Sequence, residues 1–415
     1  MTTLLLLGNY RPTLTLAREL AAPGRRIVVT RGGGEGFSEY SRFVSGMWDE
    51  PDPAEDEGRF IAALAAYLEA QPDIEIVLPV TESYAVALAR HADALPKNRL
   101  YATPRPELVV AATDKLGLLD KAASLAVPVA PYRAVGSVAA LSEAAEAIGF
   151  PVVVRATDPS LRLGTEKAIT LHAAPDLAAA FPVWPDGHRS LLVQRRVGGR
   201  RHNLYFAARQ GEIVRLAHAL IGATDRTDGS GLATEGMTIE PDPALADYSA
   251  KLVAGLDYHG IGCAQFLVDE AAGTVSFLEI NPRIAGNHAV PEAAGLALGP
   301  LAVGLARAPE AAVAYREGRP GLRYSWTYGA LRALKVGLRR GDVPLRAVPH
   351  HLARIAWSCL RSDVHMTWSW RDPRPTLALF YQQFAPAFLK IDRPTKAAGN
   401  KPAGAAIGMQ STSRS

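Results

Sequence analysis

At 415 residues, with 48% hydrophobic and 21% charged side chains, the chain has ordinary globular composition and length for two or three folding units of roughly 150 residues each. A formal net charge of +4, from 45 basic and 41 acidic residues, makes no global case for a nucleic-acid partner. Only two cysteines, Cys263 and Cys359, are present, which excludes a disulfide framework or a cysteine zinc site and points to a reducing cytoplasm. The longest charge-free run, 293–306, falls short of the ~20 apolar residues that cross a bilayer and is broken by Gly and Pro, so no transmembrane helix is expected.

In chain order, the apolar run 4–7 reads as a buried first strand, because no basic region precedes it and Gly8-Asn9 ends it too early for a secretory signal. Strands at 26–30 and 74–80 and helices at 13–21 and 56–70 continue the alternation, which predicts a parallel α/β unit over 1–112. A helix from Thr113 to about Ser124 opens a second unit, 113–200, with a helix over 137–149 and strands at 151–156 and 190–194. After the Gly198-Gly199 turn, a third unit, 201–316, carries strands at 203–208, 262–268 and 275–280 and a helix at 243–256. The segment 317–392 is basic and aromatic, with Arg332, Lys335, Arg339, Arg340, Arg346 and Arg354 among Trp326 and Trp357. It admits a membrane-surface or nucleic-acid reading, but its apolar residues recur at helical spacing, so a helical cap on the core is favoured. The tail 393–415, rich in Ala, Gly, Ser and Lys, reads as disordered.

The sharpest chemical signal is the strand pair bearing Gln265 and the run Phe277-Leu278-Glu279-Ile280-Asn281-Pro282-Arg283. Strand alternation puts Glu279 and Asn281 on one face, and Gln265 on the neighbouring strand adds a third oxygen. A hard cation such as Mg2+ (or Mn2+) takes few protein oxygens and fills its shell with water and phosphate, so this sparse set suits a nucleotide-bound ion. Taken alone, Asn-Pro after a strand is also a common turn opener, and Glu279 also suits an ordinary edge strand.

With its companions, the chain resembles the ATP-grasp superfamily, most closely carbamoyl-phosphate synthase-like and D-aspartate-ligase-like members, over about residues 1–310. The motifs stand in the family's order: Thr113-Asp114-Lys115, then Gly149-Phe150-Pro151-Val152-Val153-Val154-Arg155, then Val193-Gln194-Arg195-Arg196-Val197, then the Glu279 run. The resemblance implies a mixed α/β and α+β fold: an N-terminal Rossmann-like pre-ATP-grasp domain, a two-lobed nucleotide cleft and a helical C-terminal extension. It implies that Lys115 and Arg155 grip the ATP phosphates, that Gln194, Arg195 and Val197 border the adenine, and that Arg283 steadies the transferred phosphoryl group. The implied activity is ADP-forming ligation of a small-molecule carboxylate to an amine through an acyl phosphate, with ATP and magnesium as cofactors. Carboxyphosphate or carbamate chemistry, or a non-catalytic ATP-binding role, are the alternatives, and a homodimer is compatible with either.

Two departures from the family stand out. The loop 158–167 offers only Gly164 for backbone cradling of phosphates, leaving Lys167 or Arg162 to compensate by charge, and His202-Asn203 stands where relatives often carry a carboxylate. His218, Arg215, Arg226 and Glu235 fall where relatives build the substrate pocket, and Asn287 and His288 lie on the loop that follows the Glu279 strand. A solvated loop charge is the commoner fate of a residue like Arg226, and a surface turn serves Asn287 and His288 as well as a substrate contact. No P-loop, His-Glu-x-x-His or Gly-x-Ser-x-Gly pattern occurs, and the run 32–36 reads as a flexible substrate-side loop.

Overall fold

The computed structural model describes residues 2–158, 161–164, 166–226 and 229–385. The tail at 393–415 lies outside them.

The chain begins with β1 (Thr2–Leu7), α1 (Arg11–Glu19), β2 (Arg25–Thr30), β3 (Gly46–Trp48), α2 (Glu57–Ala70), β4 (Ile74–Pro79), α3 (Glu82–Arg90) and β5 (Leu100–Tyr101). All five strands run parallel, in the order β3-β2-β1-β4-β5. Leu4, Leu5, Leu6 and Leu7 are all buried, because a parallel sheet covered on both faces needs apolar residues at successive positions.

The helix expected from Thr113 to about Ser124 is α5 (Lys115–Ser124), and a further helix not expected from the sequence, α4 (Pro106–Thr113), precedes it. Asp114 separates them: its carboxylate accepts the N–H groups of Leu116 and Gly117, capping the second helix and placing Lys115 in its first turn. There follow β6 (Tyr132–Val135), α6 (Val138–Ile148), β7 (Val152–Ala156), β8 (Ile169–Leu171), α7 (Ala174–Ala180) and β9 (Leu191–Arg195). They build an antiparallel sheet of order β6-β9-β7-β8. Gly149 ends α6 at φ +83°, and a Cβ there would lie 2.5 Å from the Arg195 guanidinium.

The rest of the chain forms β10 (Arg200–Arg209), β11 (Glu212–Thr224), β12 (Ala233–Ile239), α8 (Pro243–Gly255), β13 (Gly260–Asp269), β14 (Thr274–Asn281), α9 (Ala289–Ala293) and α10 (Leu298–Arg307). Then come β15 (Arg316–Glu317), β16 (Arg323–Ser325), α11 (Thr327–Arg340), α12 (Val348–Leu360), β17 (Val364–His365) and α13 (Arg374–Phe384). The large sheet has the order β14-β13-β10-β11-β12-β16-β17, with β15 beside β11. The C-terminal extension also carries strands: β16 and β17 prolong this sheet, α11 packs on β12 and α12 on β16, and α13 packs against the turn at 38–40.

Alternation gives the large sheet two buried faces. Leu204, Phe206, Ala264, Phe266 and Ile280 join one core with Leu245 and Leu252 of α8, while Tyr205, Ala207 and Cys263 join another with Leu4, Ile27 and Trp326. Gln265, Glu279 and Asn281 occupy the alternate positions, on the Tyr205 side.

Candidate functional site

The β13–β14 hairpin sets Gln265 directly opposite Glu279, and Cys263 opposite Asn281. Lys115 Nζ donates to Glu279 Oε2 at 2.6 Å, and Asn281 Nδ2 donates to Glu279 Oε1 at 2.9 Å. Arg283 Nη2 in turn donates to Asn281 Oδ1 at 3.0 Å. The Lys115 ammonium holds the Glu279 carboxyl well below the usual carboxylate range, against the opposing effect of burial, so the group is ionised. An anionic carboxylate with two amide side chains beside it is a sparse oxygen-bearing set that suits a magnesium ion, and here Lys115 is paired with the carboxylate while Asn281 turns its amide nitrogen to Glu279 and its oxygen to Arg283.

Gln265 and Glu279 line a cavity of about 930 Å³ between the antiparallel lobe and the large sheet. Arg155, projecting from β7 into the same cavity, donates from Nη2 to Gln194 Oε1 at 2.8 Å. Burial presses its guanidinium below the usual range and Glu279 opposes that pressure. Val197 lies just beyond β9 on the cavity wall. Arg195 also borders it, but its Nη1 caps α6 by donating to the carbonyls of Ile148 and Gly149. The strand turn that follows needs Gly199, where φ is +103° and a Cβ would sit 2.4 Å from the Val268 carbonyl oxygen. Lys167, Arg162 and Glu166 line the mouth from the loop between β7 and β8; residues 159, 160 and 165 of that loop lie outside the described residues. Arg226 reaches across the mouth, its Nη1 3.6 Å from Glu166 Oε2, while the adjoining Thr227 and Asp228 are also outside the described residues.

Three residues expected near substrate sit elsewhere. His218 is buried on the α8 face of the sheet, opposite to Gln265: its Nδ1 accepts the Asp242 N–H at 3.1 Å and its Nε2 lies 2.8 Å from His202 Nδ1. Burial, reinforced by His202, lowers His218 to about 4, so the ring is neutral with its proton on Nε2. Asn287 is buried and donates to the Tyr205 hydroxyl, and His288 Nε2 meets Glu19 Oε2 at 2.8 Å. Both fasten the loop after β14 rather than face the cavity.

Other residues at this end of the cleft carry no motif. Arg11 is buried, donates to the carbonyls of Gly286 and Ala233, and lies 4.1 Å over the Trp326 ring. Burial lowers it to about 10. Arg332 of α11 bridges Glu35, at 2.7 Å, and Asp225, at 2.9 Å, tying the glycine-rich loop 32–36 to the cavity wall. Tyr10 packs against Gly33, and its hydroxyl is within electrostatic reach of Asp52, Glu35 and Arg283. The glycine-rich loop therefore flanks the Arg283 end of the site, but it is held by an ion pair.

Comparison with known proteins points the same way. The family described as "Carbamoyl-phosphate synthase L chain, ATP binding domain" matches residues 234–309, which include the whole β13–β14 hairpin. The chloroplastic biotin carboxylase of Arabidopsis thaliana is 27% identical over 207 residues, covering 46% of this chain and only 37% of that protein. Among solved structures, the biotin carboxylase domain of Hydrogenobacter thermophilus 2-oxoglutarate carboxylase, in complex with MgADP and bicarbonate, has a TM-score of 0.60 at 15% identity, covering 77% of this chain and 73% of that one. The L-amino acid ligase of Bacillus licheniformis has a TM-score of 0.56 at 14% identity, covering 74% of each chain. The two lobes about one cavity and the likeness to these solved structures give the chain an ATP-grasp fold, and the family match falls on its β13–β14 hairpin.

Proposed function

We propose that the chain uses ATP to activate a small-molecule carboxylate as an acyl phosphate and passes the acyl group to an amine. The observation that carries this reading is the meeting of Arg155, Gln194, Gln265 and Glu279 on one cavity, with Lys115, Asn281 and Arg283 joined to Glu279 by direct or relayed hydrogen bonds. Gln265, Glu279 and Asn281 would hold the metal, and Val197 with the β9 backbone would border the base. A magnesium ion held there would supply positive charge to the phosphate oxygens. Lys115 exchanges its contact with Glu279 for one with a phosphate, Arg155 supports the same chain of charge, and Arg283 turns from Asn281 to the group in transit. The γ-phosphoryl passes from the β–γ bridging oxygen to a carboxylate oxygen; the amine then attacks the carbonyl carbon, the C–O bond to phosphate breaks, and the amine gives up a proton. Positioning and charge do this work, so no side-chain nucleophile is required.

The test is ADP release across amino acids, dipeptides and small carboxylates, singly and in pairs, with hydroxylamine present to trap an acyl phosphate as its hydroxamate. Substrate-dependent ADP release with a hydroxamate product supports the reading; ATP binding without turnover on any member of the panel would replace it with a nucleotide-binding role. A second reading, carboxyphosphate formation, is favoured by the carboxylases among the similar proteins, one of them holding bicarbonate beside MgADP. It predicts ADP release with bicarbonate alone and no hydroxamate of an organic acid.

A further inference from the structure

Helix α12 is apolar on two sides. Ile355 faces the protein and is buried, while Pro349, Leu352, Ala353, Ala356, Trp357 and Leu360 recur at helical spacing on the side left exposed. Trp357 is 60% exposed, Leu360 82% and Leu345, just before the helix, 81%. Single exposed apolar residues need no explanation, but a continuous stripe ending in a Trp and a Leu does. The cap role expected from the sequence accounts for the inner face only.

Beside this stripe lies a pocket of about 250 Å³, on the side of the large sheet where Arg354 reaches Glu235. Its lining includes Arg200, Arg323, Arg354, Arg361, Glu235 and Trp357. Arg354 Nη1 is 3.3 Å from Glu235 Oε1, and the Arg361 guanidinium stacks 5.0 Å from the Trp357 ring. Among the described residues, Arg200, Arg323 and Arg361 form no ion pair. From 343 to 362 there is no Asp or Glu, while Arg346, His350 and His351 add to the basic count. Asp363, which accepts the Arg323 N–H, is the nearest acid to follow. A concave arginine cluster offers forked donors to phosphate oxygens, and a Trp with an apolar body and a polar edge suits the boundary between headgroups and acyl chains.

We propose that this face docks the protein on an anionic lipid bilayer, with the arginine pocket taking a headgroup phosphate and Leu352, Trp357 and Leu360 entering the boundary beneath it. The charge pattern selects this occupant over a second copy of the chain. A two-fold contact through the stripe would set Arg323, Arg354 and Arg361 against their own equivalents, and like charges brought together oppose association. The pocket also shares Arg200 and Gly222 with the wall of the nucleotide cavity, so the docked face is close to the cleft without being part of the hairpin that would hold the metal.

The test is co-sedimentation of the full chain with vesicles of phosphatidylglycerol and phosphatidylcholine, against vesicles of phosphatidylcholine alone and against titration with inorganic phosphate. Binding is expected only to the anionic vesicles, weakening as salt is raised, and falling by about tenfold or more in R323Q/R361Q and again in W357S/L360S. ATP affinity and thermal midpoint measured on the same variants should stay at the parent values, which separates failure of docking from failure to fold or failure of the nucleotide reading. No binding to anionic vesicles at low salt, or binding indifferent to both variants, overturns the proposal. So does phosphate binding that depends on Arg323 and Arg361 without vesicle binding, which would make the pocket a site for a soluble anion. A dimer that W357S/L360S converts to monomer, with no vesicle binding, would assign the stripe to a second copy.

Discussion

The cleft and the interior solve the same problem, that of keeping polar groups out of bulk water, in opposite ways. At the cleft, Glu279 is satisfied by Lys115 and Asn281, and Asn281 by Arg283. Each of those partners can be exchanged for another cation or for a phosphate. In the interior, His218 sits between the Asp242 N–H and His202, and His288 joins Glu19 beside Glu292, with no cavity at either cluster among those lined by the cleft residues. Groups of that kind cannot trade partners, so they fix the fold and record changes in pH. Chemistry is therefore expected where charge pairs are exchangeable, and stability where they are enclosed.

The largest expected effect tests the first half of that contrast. Glu279→Ala should cut the proposed turnover roughly 100-fold to 1000-fold, because loss of a proposed metal ligand removes about 3–4 kcal/mol of transition-state stabilisation. The fold should survive, because Glu279 lies on the cleft wall and its partner Lys115 can turn to solvent. ADP release and a thermal midpoint on the same sample check both parts. Turnover that persists in the variant would remove Glu279 from the site and end the contrast.

The Glu279–Asn281 end of the hairpin was readable because a strand's alternation depends only on neighbours: Ile280 enters one core and the oxygens are left on the other face, whereas the register shift at Leu278 that brings Phe277 into the same core as Ile280 carried no such signal. The helix expected at 56–70 was readable for the same reason, and its start is marked by Asp56, whose side chain accepts the Arg59 N–H. Asn287 and His288 were not, since their partners Tyr205 and Glu19 are 82 and 269 residues away in sequence. Arg332, whose partner Glu35 is 297 residues distant, carried no local signal at all. Strands β11 and β12 escaped notice because both faces are partly covered and Ala and Gly blur the alternation. What was legible is what short-range periodicity determines, and what was not is what tertiary contact decides.

Two predictions sharpen the interior half. Since His218 titrates near 4 in the fold against about 6.5 when unfolded, the unfolded chain binds more protons between those values, and stability falls as pH drops through that window. The loss amounts to about 3 kcal/mol at pH 4 and is absent above pH 7. Chemical denaturation across this range should show that slope, and His218→Gln should flatten it while lowering stability at neutral pH. Glu292 has the opposite sign. Burial, with Glu19 beside it, raises Glu292 to about 8, so the fold retains a proton that the unfolded chain loses near pH 4.5, and stability falls as pH rises between the two. Glu292→Gln should be more stable than the parent at pH 8 and nearly equal to it at pH 5. Equal stability at both pH values would show that Glu292 is already ionised in the fold.

The smallest expected effect lies at the mouth of the cleft, where the two halves of the contrast meet. Arg226 and Glu166 are 3.6 Å apart and each about half exposed, so water and salt screen the pair and side-chain entropy offsets most of its attraction. Arg226→Gln should change stability by less than about 0.5 kcal/mol, within the usual range for exposed ion pairs. Its effect on ATP affinity should be similarly slight if the residue merely closes the mouth. A substrate carboxylate bound by the Arg226 guanidinium would instead show as a raised KM for that substrate, with kcat and the thermal midpoint unchanged. Thermal unfolding together with saturation curves for ATP and for each active substrate separates these outcomes, because a mouth contact leaves every curve nearly in place and a substrate contact moves only its own.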